Sequence, residues 1–380
     1  MEIIKNELTS KKELMEINSV SSYLAMFPVS VPLSLIKKYS TENDLIMDNF
    51  SGRGTTAIVS KFLNRKFVGN DLNPYSYVLS KFKISKLYKN RIFLKLRKLE
   101  KEYENIKDEI STNGFEEMLI YYSEYTLKQL IFLRNKIGKQ WRTNGKYMNA
   151  ILAFALGLMH GPERKNGETI YFSVSMSNMI SMSPNYVENY KQKHNLKTKE
   201  INIFKNLKSR IETKFFDLLT KEYDSNFKYH DSLKPLKFVK DNSVNLVVTS
   251  PPYLSIVDYT RSNWIKLWLL GYDRKNVSKE IKLKDKLKIN EYIEFIKSYL
   301  NNIYPKLKKG SKVCLVVGDV YNTNLIEETW QEIKKEVNYE KIDLIIQKVN
   351  ENKKSLRSMN SKKGKATQLE KILILEKKVL

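Results

Sequence analysis

The 380-residue chain has a single cysteine, Cys314, and only three histidines. One thiol excludes an internal disulfide framework, and scattered histidines without cysteine partners exclude a zinc finger. No apolar run approaches the ~18–20 residues needed to span a bilayer. The first residues, MEIIKNELTSKKELMEIN, mix acids with bases where a secretory leader carries an apolar stretch. The expectation is therefore a cytoplasmic protein with no membrane segment and no metal. Acids are the minority charge: 42 Asp+Glu stand against 67 Lys+Arg, a net +25. That excess points to a polyanionic partner, although part of it reflects a chain rich in Lys, Asn and Ile throughout. No repeat or low-complexity tract is present, which excludes a solenoid.

What is present is an alternation of short apolar runs and helical stretches. DLIMDNF (44–50) ends in Ser51-Gly52-Arg53-Gly54-Thr55-Thr56, AIVSKFLNR (57–65) has helical periodicity, and KFVGNDLNP (66–74) is a second strand closed by Asn-Pro. Strand, glycine turn, helix and strand make a βαβ unit with a parallel sheet. The pattern returns in VNLVVT (244–249) and KVCLVVGD (312–319), with IDLIIQKV (342–349) and KILILEK (371–377) as a closing pair. Residues from about 90 to 225 read as mostly helical, and ILAFALGLMHG (151–161) as a buried core helix. The spacing predicts a doubly wound α/β domain interrupted by a helical insertion.

Two motifs carry chemistry. Glycines between a first strand and its helix let the backbone turn tightly and present free amides to a ligand. No Gly-Lys-Ser/Thr follows, so the turn is not a phosphate loop. Asp71 ends the next strand, where a carboxylate is placed to accept both ribose hydroxyls of an adenosine-type cofactor. The second motif is Ser250-Pro251-Pro252-Tyr253 after an apolar strand. Two prolines remove two N–H donors and fix carbonyls that can only accept. A serine and a rigid carbonyl suit the two hydrogens of an exocyclic amine, and a tyrosine face suits an extruded base. The competing readings are an ordinary turn with a surface Asp, and a Pro-Pro loop with a core Tyr.

Together, DNFSGRGTT and TSPPY resemble the signature pair of S-adenosylmethionine-dependent DNA amino-methyltransferases. The resemblance covers roughly residues 20–90 and 225–320. It implies a Rossmann-like class I methyltransferase sheet made by residues 1–90 and 225–380, with 91–224 as a helical insertion serving target recognition. S-adenosyl-L-methionine is the implied cofactor. Tyr23, Phe27 and Pro28 resemble the aromatic-Pro segment that holds its methionine end. Asp48, Phe50, Ser51, Gly52, Gly54, Thr55 and Thr56 match the glycine motif, and Asp71 the ribose acid. Asp231, in His230-Asp231-Ser232, is similar to the adenine-contacting element, with His where Gly is usual. Ser250, Pro251, Pro252 and Tyr253 are the implied catalytic residues.

Serine at the head of the tetrapeptide resembles the cytosine-N4 group. Adenine-N6 methylation, or an RNA substrate on the same fold, is the alternative. Carbon-5 methylation needs a thiolate nucleophile, and Cys314 sits mid-strand. Double-stranded DNA is the implied partner, and a companion restriction endonuclease is compatible with the resemblance. For DNA contact the candidates are Arg164, Arg261 and the basic loop with Lys353, Lys354, Arg357, Lys362 and Lys363. Trp264 and Trp268 are expected in the core. Asp258 is read as a cap or a site residue, and His160 and His194 as non-catalytic.

Overall fold

The computed structural model describes residues 11–24, 27–252, 258–318, 324–348 and 369–378. Seven strands form one sheet: β1 (Leu45–Asp48), β2 (Lys66–Asp71), β3 (Ser225–Tyr229), β4 (Val244–Thr249), β5 (Leu307–Gly318), β6 (Tyr339–Lys348) and β7 (Leu369–Lys377). Their order is β3-β2-β1-β4-β5-β7-β6. The first five are parallel to their neighbours, and β7 runs antiparallel to both β5 and β6. This is the Rossmann-like sheet of class I methyltransferases.

Apolar runs become central strands because both faces are covered. Val244, Leu246, Val247 and Val248 of β4 are fully buried. The polar interruption, Asn245, has a structural role: its Oδ1 accepts the backbone N–H of Leu45 at 3.0 Å, satisfying the first amide of β1. Asn-Pro after β2 starts the helix Pro74–Ile84, with Asn73 capping the N–H of Tyr75 and proline in the first turn, where it costs no hydrogen bond.

Between that helix and β3 lie the helices Lys89–Ile106, Glu124–Leu133, Lys146–Leu158, Pro184–His194 and Ile203–Lys214. They do not form a core of their own. Leu96, Leu130, Phe154 and Phe204 share one apolar cluster with Ile46, Leu246, Cys314 and Val316 of the sheet. Helix Lys146–Leu158 is apolar on nearly every side because it is enclosed, and Gly157 lets Val20 approach where a Cβ would collide with its carbonyl. The opposite face of the sheet is covered by Ile289–Ile303 and Leu325–Ile333, through Tyr292, Phe295, Ile326 and Trp330.

Trp264 and Trp268 are core residues, packed on Tyr121 and Phe115. Cys314 is fully buried, and burial pushes its thiol up to about 12, so no thiolate forms at neutral pH.

Candidate active site

The glycine turn follows β1 and leads into helix Thr55–Phe62. Gly52 and Gly54 have φ of +52° and +78°, a region other residues enter at a cost. Gly54 has a second reason to be glycine: a Cβ would sit 2.8 Å from Ser80 Oγ and 3.1 Å from its Cα. The turn also fastens the strand-end acid. Gly52 N–H donates to Asp71 Oδ2 and Asn73 N–H to Oδ1, each at 2.8 Å. Burial raises the Asp71 pKa to about 7, outweighing these two hydrogen bonds, and the nearby Asp48 adds to the rise.

Behind the turn the strand ends are joined by amides. Asn49 Nδ2 donates to Asn70 Oδ1 at 2.7 Å, and Asn70 Nδ2 donates to the His230 carbonyl at 3.0 Å and to Ser232 Oγ at 2.9 Å. Ser232 Oγ in turn donates to the Asn49 carbonyl at 2.7 Å. The loops after β1, β2 and β3 are thus one polar unit. None of these asparagines was singled out in the sequence, where an Asn at a strand end looks like any turn residue.

In front of this unit lies a cleft of about 850 Å³, open mouth included. Tyr23 and Phe27 line it from the N-terminal segment, and Phe50, Ser51, Gly52 and Thr55 from the glycine turn. Asp71 and Asp231 line it from the ends of β2 and β3, and Ser250 and Pro252 from the end of β4. Residues remote in sequence therefore share one cavity. Tyr23 is held by Asn73 Nδ2 and Ser76 Oγ, which both donate to its hydroxyl, at 3.1 and 2.9 Å.

Five of the sequence candidates stand off the cleft wall. Asp48 is buried beneath it, accepting from Thr249 Oγ1 at 2.6 Å and from Phe50 N–H at 3.2 Å, and burial raises its pKa to about 6. It ties β1 to β4. Thr56 is buried in its helix and donates to the Val248 carbonyl at 3.3 Å, Gly54 faces Ser80, and Pro251 is buried. Pro28 is exposed. Tyr253 and the basic loop with Lys353, Lys354, Arg357, Lys362 and Lys363 lie outside the described residues.

The cleft also contains residues that the motifs did not identify: Arg53, Asn73, Tyr259 and the segment Leu283–Asp285. Arg53 has no carboxylate partner among the described residues, and burial lowers its pKa to about 10. Its carbonyl accepts from Lys83 Nζ at 2.5 Å, a fully enclosed lysine that also donates to Asn18 Oδ1 at 2.6 Å. Ser250 Oγ donates to the Val316 carbonyl of β5 at 2.9 Å. Its proton is thereby committed away from any ligand, and toward the cleft the oxygen can only accept.

Asp258 caps the short helix Tyr259–Ser262 by accepting from Arg261 N–H, and pairs with Lys286 at 2.9 Å. Arg261 is exposed, and Arg164 is exposed with Glu168 at 3.4 Å. His160 is buried between the Ser177 carbonyl and Ser181 Oγ, and burial lowers its pKa to about 3, leaving it neutral and structural.

Comparison with known proteins matches two blocks of the chain that hold all the cleft-lining residues except Asp231 and Ser232. A family model described as DNA methylase matches residues 2–82 and 244–379, more than half of the chain. The chain belongs to the DNA methylase family. The Type II methyltransferase M.BsoBI of Geobacillus stearothermophilus is 25% identical over 325 residues, covering 78% of this chain and 61% of that protein. The Type II methyltransferase M.MjaII of Methanocaldococcus jannaschii is 21% identical over 404 residues, covering 85% and 76%. This DNA methylase family member thus spans about three fifths of the first of these relatives. Among solved structures, TrmN from Thermus thermophilus has a TM-score of 0.34 at 8% identity, covering 92% of this chain and 49% of that one.

S-adenosylmethionine is the cofactor of this DNA methylase, and the residues present fit it. The positive-φ glycines keep the turn free of side chains, Asp71 offers a carboxylate at the wall, and aromatic rings enclose the space between.

Proposed function

We propose that the protein is a site-specific DNA methyltransferase that places a methyl group on the exocyclic N4 of a cytosine flipped out of duplex DNA. The observation that carries this reading is Ser250. Its hydroxyl is turned by Val316 into a pure acceptor, in the same cleft as Asp71. Bound S-adenosylmethionine supplies an electrophilic sulfonium methyl. On the protein side, Asp71 accepts the ribose hydroxyls and Asp231 meets the adenine. Arg53, which lines the cleft with no carboxylate partner among the described residues, meets the carboxylate of the methionine end. Ser250 accepts one amine hydrogen from the cleft wall, and the carbonyl of Pro251, behind the wall, takes the second-acceptor role that the resemblance assigns to it, which localises the nitrogen lone pair for in-line attack. Tyr253 takes the stacking role that the resemblance assigns to it. The nitrogen loses its proton to water, no covalent enzyme intermediate forms, and the rate comes from positioning.

In this reading residues 1–90 and 225–380 carry the chemistry and 91–224 serve target recognition. The partners are double-stranded DNA and, in keeping with the Type II names of the relatives, a companion restriction endonuclease in the cytoplasm. Mass spectrometry of hydrolysed DNA from cells expressing the protein tests it, with Ser250→Ala as control. N4-methylcytosine present only with the unsubstituted protein is the expected result. N6-methyladenine would keep the reaction and overturn the choice of base. Neither modification, in a protein that binds S-adenosylhomocysteine, would overturn the DNA substrate.

A further inference from the structure

Helix Pro184–His194 carries an aromatic stripe on its outer side. Tyr186, Tyr190 and His194 are four residues apart and lie along one line of the helix. The Tyr186 and Tyr190 rings are stacked, with centroids 6.1 Å apart and planes at 8°, and the His194 ring lies 4.3 Å from Tyr190. Both tyrosines are open to solvent, 51% and 39% exposed. The inner side is fixed by buried Pro184 and Val187, and by Lys191 Nζ, which donates to the Ile120 carbonyl at 3.0 Å. At 100° per residue, Lys193 and then Asn189 follow the stripe on one side, and Glu188, also exposed, lies on the opposite side of the helix from Tyr186. The stripe with its neighbours Lys193 and Asn189 thus offers tyrosine, lysine and asparagine, with the one acid of the helix, Glu188, turned away from Tyr186.

Its position relates it to the cleft. Ser183 caps the helix, and the two residues before it are tied to the segment beside the cleft. Ser181 N–H donates to the Ser262 carbonyl at 2.7 Å, and Trp264 Nε1 donates to the Met182 carbonyl at 3.2 Å. Ser262 ends the short helix whose first residue, Tyr259, lines the cleft. The helix therefore starts beside a wall of the active site.

Resting on the DNA-methyltransferase reading, we propose that helix Pro184–His194 lies in the major groove of duplex DNA next to the flipped base and reads its sequence. Three observations select this occupant. The chain has a net charge of +25, and the helix carries Lys191 and Lys193 against one acid, Glu188, which suits a polyanion. The side chains are those that read base edges: asparagine pairs with adenine, lysine with guanine, and aromatic rings contact thymine methyls. The DNA methylase model matches residues 2–82 and 244–379 and leaves this helix unmatched, as expected where members share a reaction but recognise different sequences.

The test uses the full chain with Asn189→Ala and, separately, Tyr186→Ala/Tyr190→Ala. Methylated positions on a plasmid are mapped by sequencing, KM for plasmid DNA is measured, and S-adenosylhomocysteine affinity and Tm serve as controls. Asn189→Ala should relax the methylated sequence at one position by about tenfold. The tyrosine pair should raise KM for DNA about tenfold or more with both controls unchanged. An unaltered sequence context and KM in both variants would overturn the proposal. So would loss of a self-associated species in sedimentation with KM for DNA intact, which would make the face a contact between copies. If the unsubstituted protein binds S-adenosylhomocysteine but methylates no DNA, the underlying reading fails, and this inference with it.

Discussion

At the floor of the cleft Asp71 is gripped by two backbone amides, and Asn49, Asn70 and Ser232 knit three strand ends together. At its mouth the connections run between irregular segments instead: Tyr259 N–H to Asp285 at 2.8 Å, Asp258 to Lys286, and Ser181 to Ser262. In the proposed function the first region binds the cofactor, which is the same for every member of the family, and strand ends whose positions the sheet dictates suit that task. In the same proposal the second admits a partner whose sequence differs between enzymes, and loops tolerate that variation. A cleft made this way separates cofactor binding from substrate choice.

The sharpest way to break the comparison is Ser250→Ala. Loss of the acceptor at the end of β4 should lower kcat by about a hundredfold or more, with S-adenosylhomocysteine affinity measured by calorimetry essentially unchanged. Equal losses in both would place Ser250 in the cofactor wall instead.

The floor is tested next. Asp71→Ala should weaken S-adenosylhomocysteine binding by about tenfold or more while leaving DNA affinity alone. Because the Asp71 pKa is raised to about 7, affinity in the unsubstituted protein should rise with pH, by about tenfold per unit below 7, and level off above it. Asp71→Asn should abolish that slope, and a slope that survives would assign the titration to another group.

Gly54→Ala and Gly114→Ala separate two costs. Both glycines have φ near +80°, but a Cβ at Gly114 meets nothing within 4 Å whereas one at Gly54 meets Ser80. Gly114→Ala should cost about 1–2 kcal/mol of stability from backbone strain alone, and Gly54→Ala more, as read by denaturant unfolding. Equal losses would mean that the turn relaxes and is looser than the floor as a whole.

A further test concerns Lys266, on the helix Trp264–Leu269. It is enclosed against the Ser22 and Asn178 carbonyls, and burial lowers its pKa to about 7. Between about 7 and its ordinary value near 10.5 the unfolded chain binds the extra proton, so this lysine makes stability rise with pH in that window. Lys266→Met should flatten the rise, and an unchanged slope would implicate Lys61, lowered to about 8, or Lys83.

Much of this was legible in the residues. Glycine at 52 and 54 is demanded by backbone sterics that act locally, and the apolar runs of β1, β2, β4 and β5 can only be interior strands. The expected residues that line the cleft are those carried by motifs. Arg53 escaped because it sits between two informative glycines and looks like filler. Tyr259 and Leu283–Asp285 escaped because irregular segments leave no periodic trace. Asp48 was read as a ligand contact, yet its carboxylate turns under the turn to Thr249, a direction decided by how β1 meets β4.

The sequence by itself determined the sheet, the place of the glycine turn and the acid after β2, because each depends on hydrophobic patterning or on φ within a few residues. Only the tertiary structure decided which side chains face the cleft, that the helical segment shares the core of the sheet, and which face of helix Pro184–His194 stays open. Those outcomes depend on contacts between residues far apart in the chain, and such pairings follow from how the segments pack.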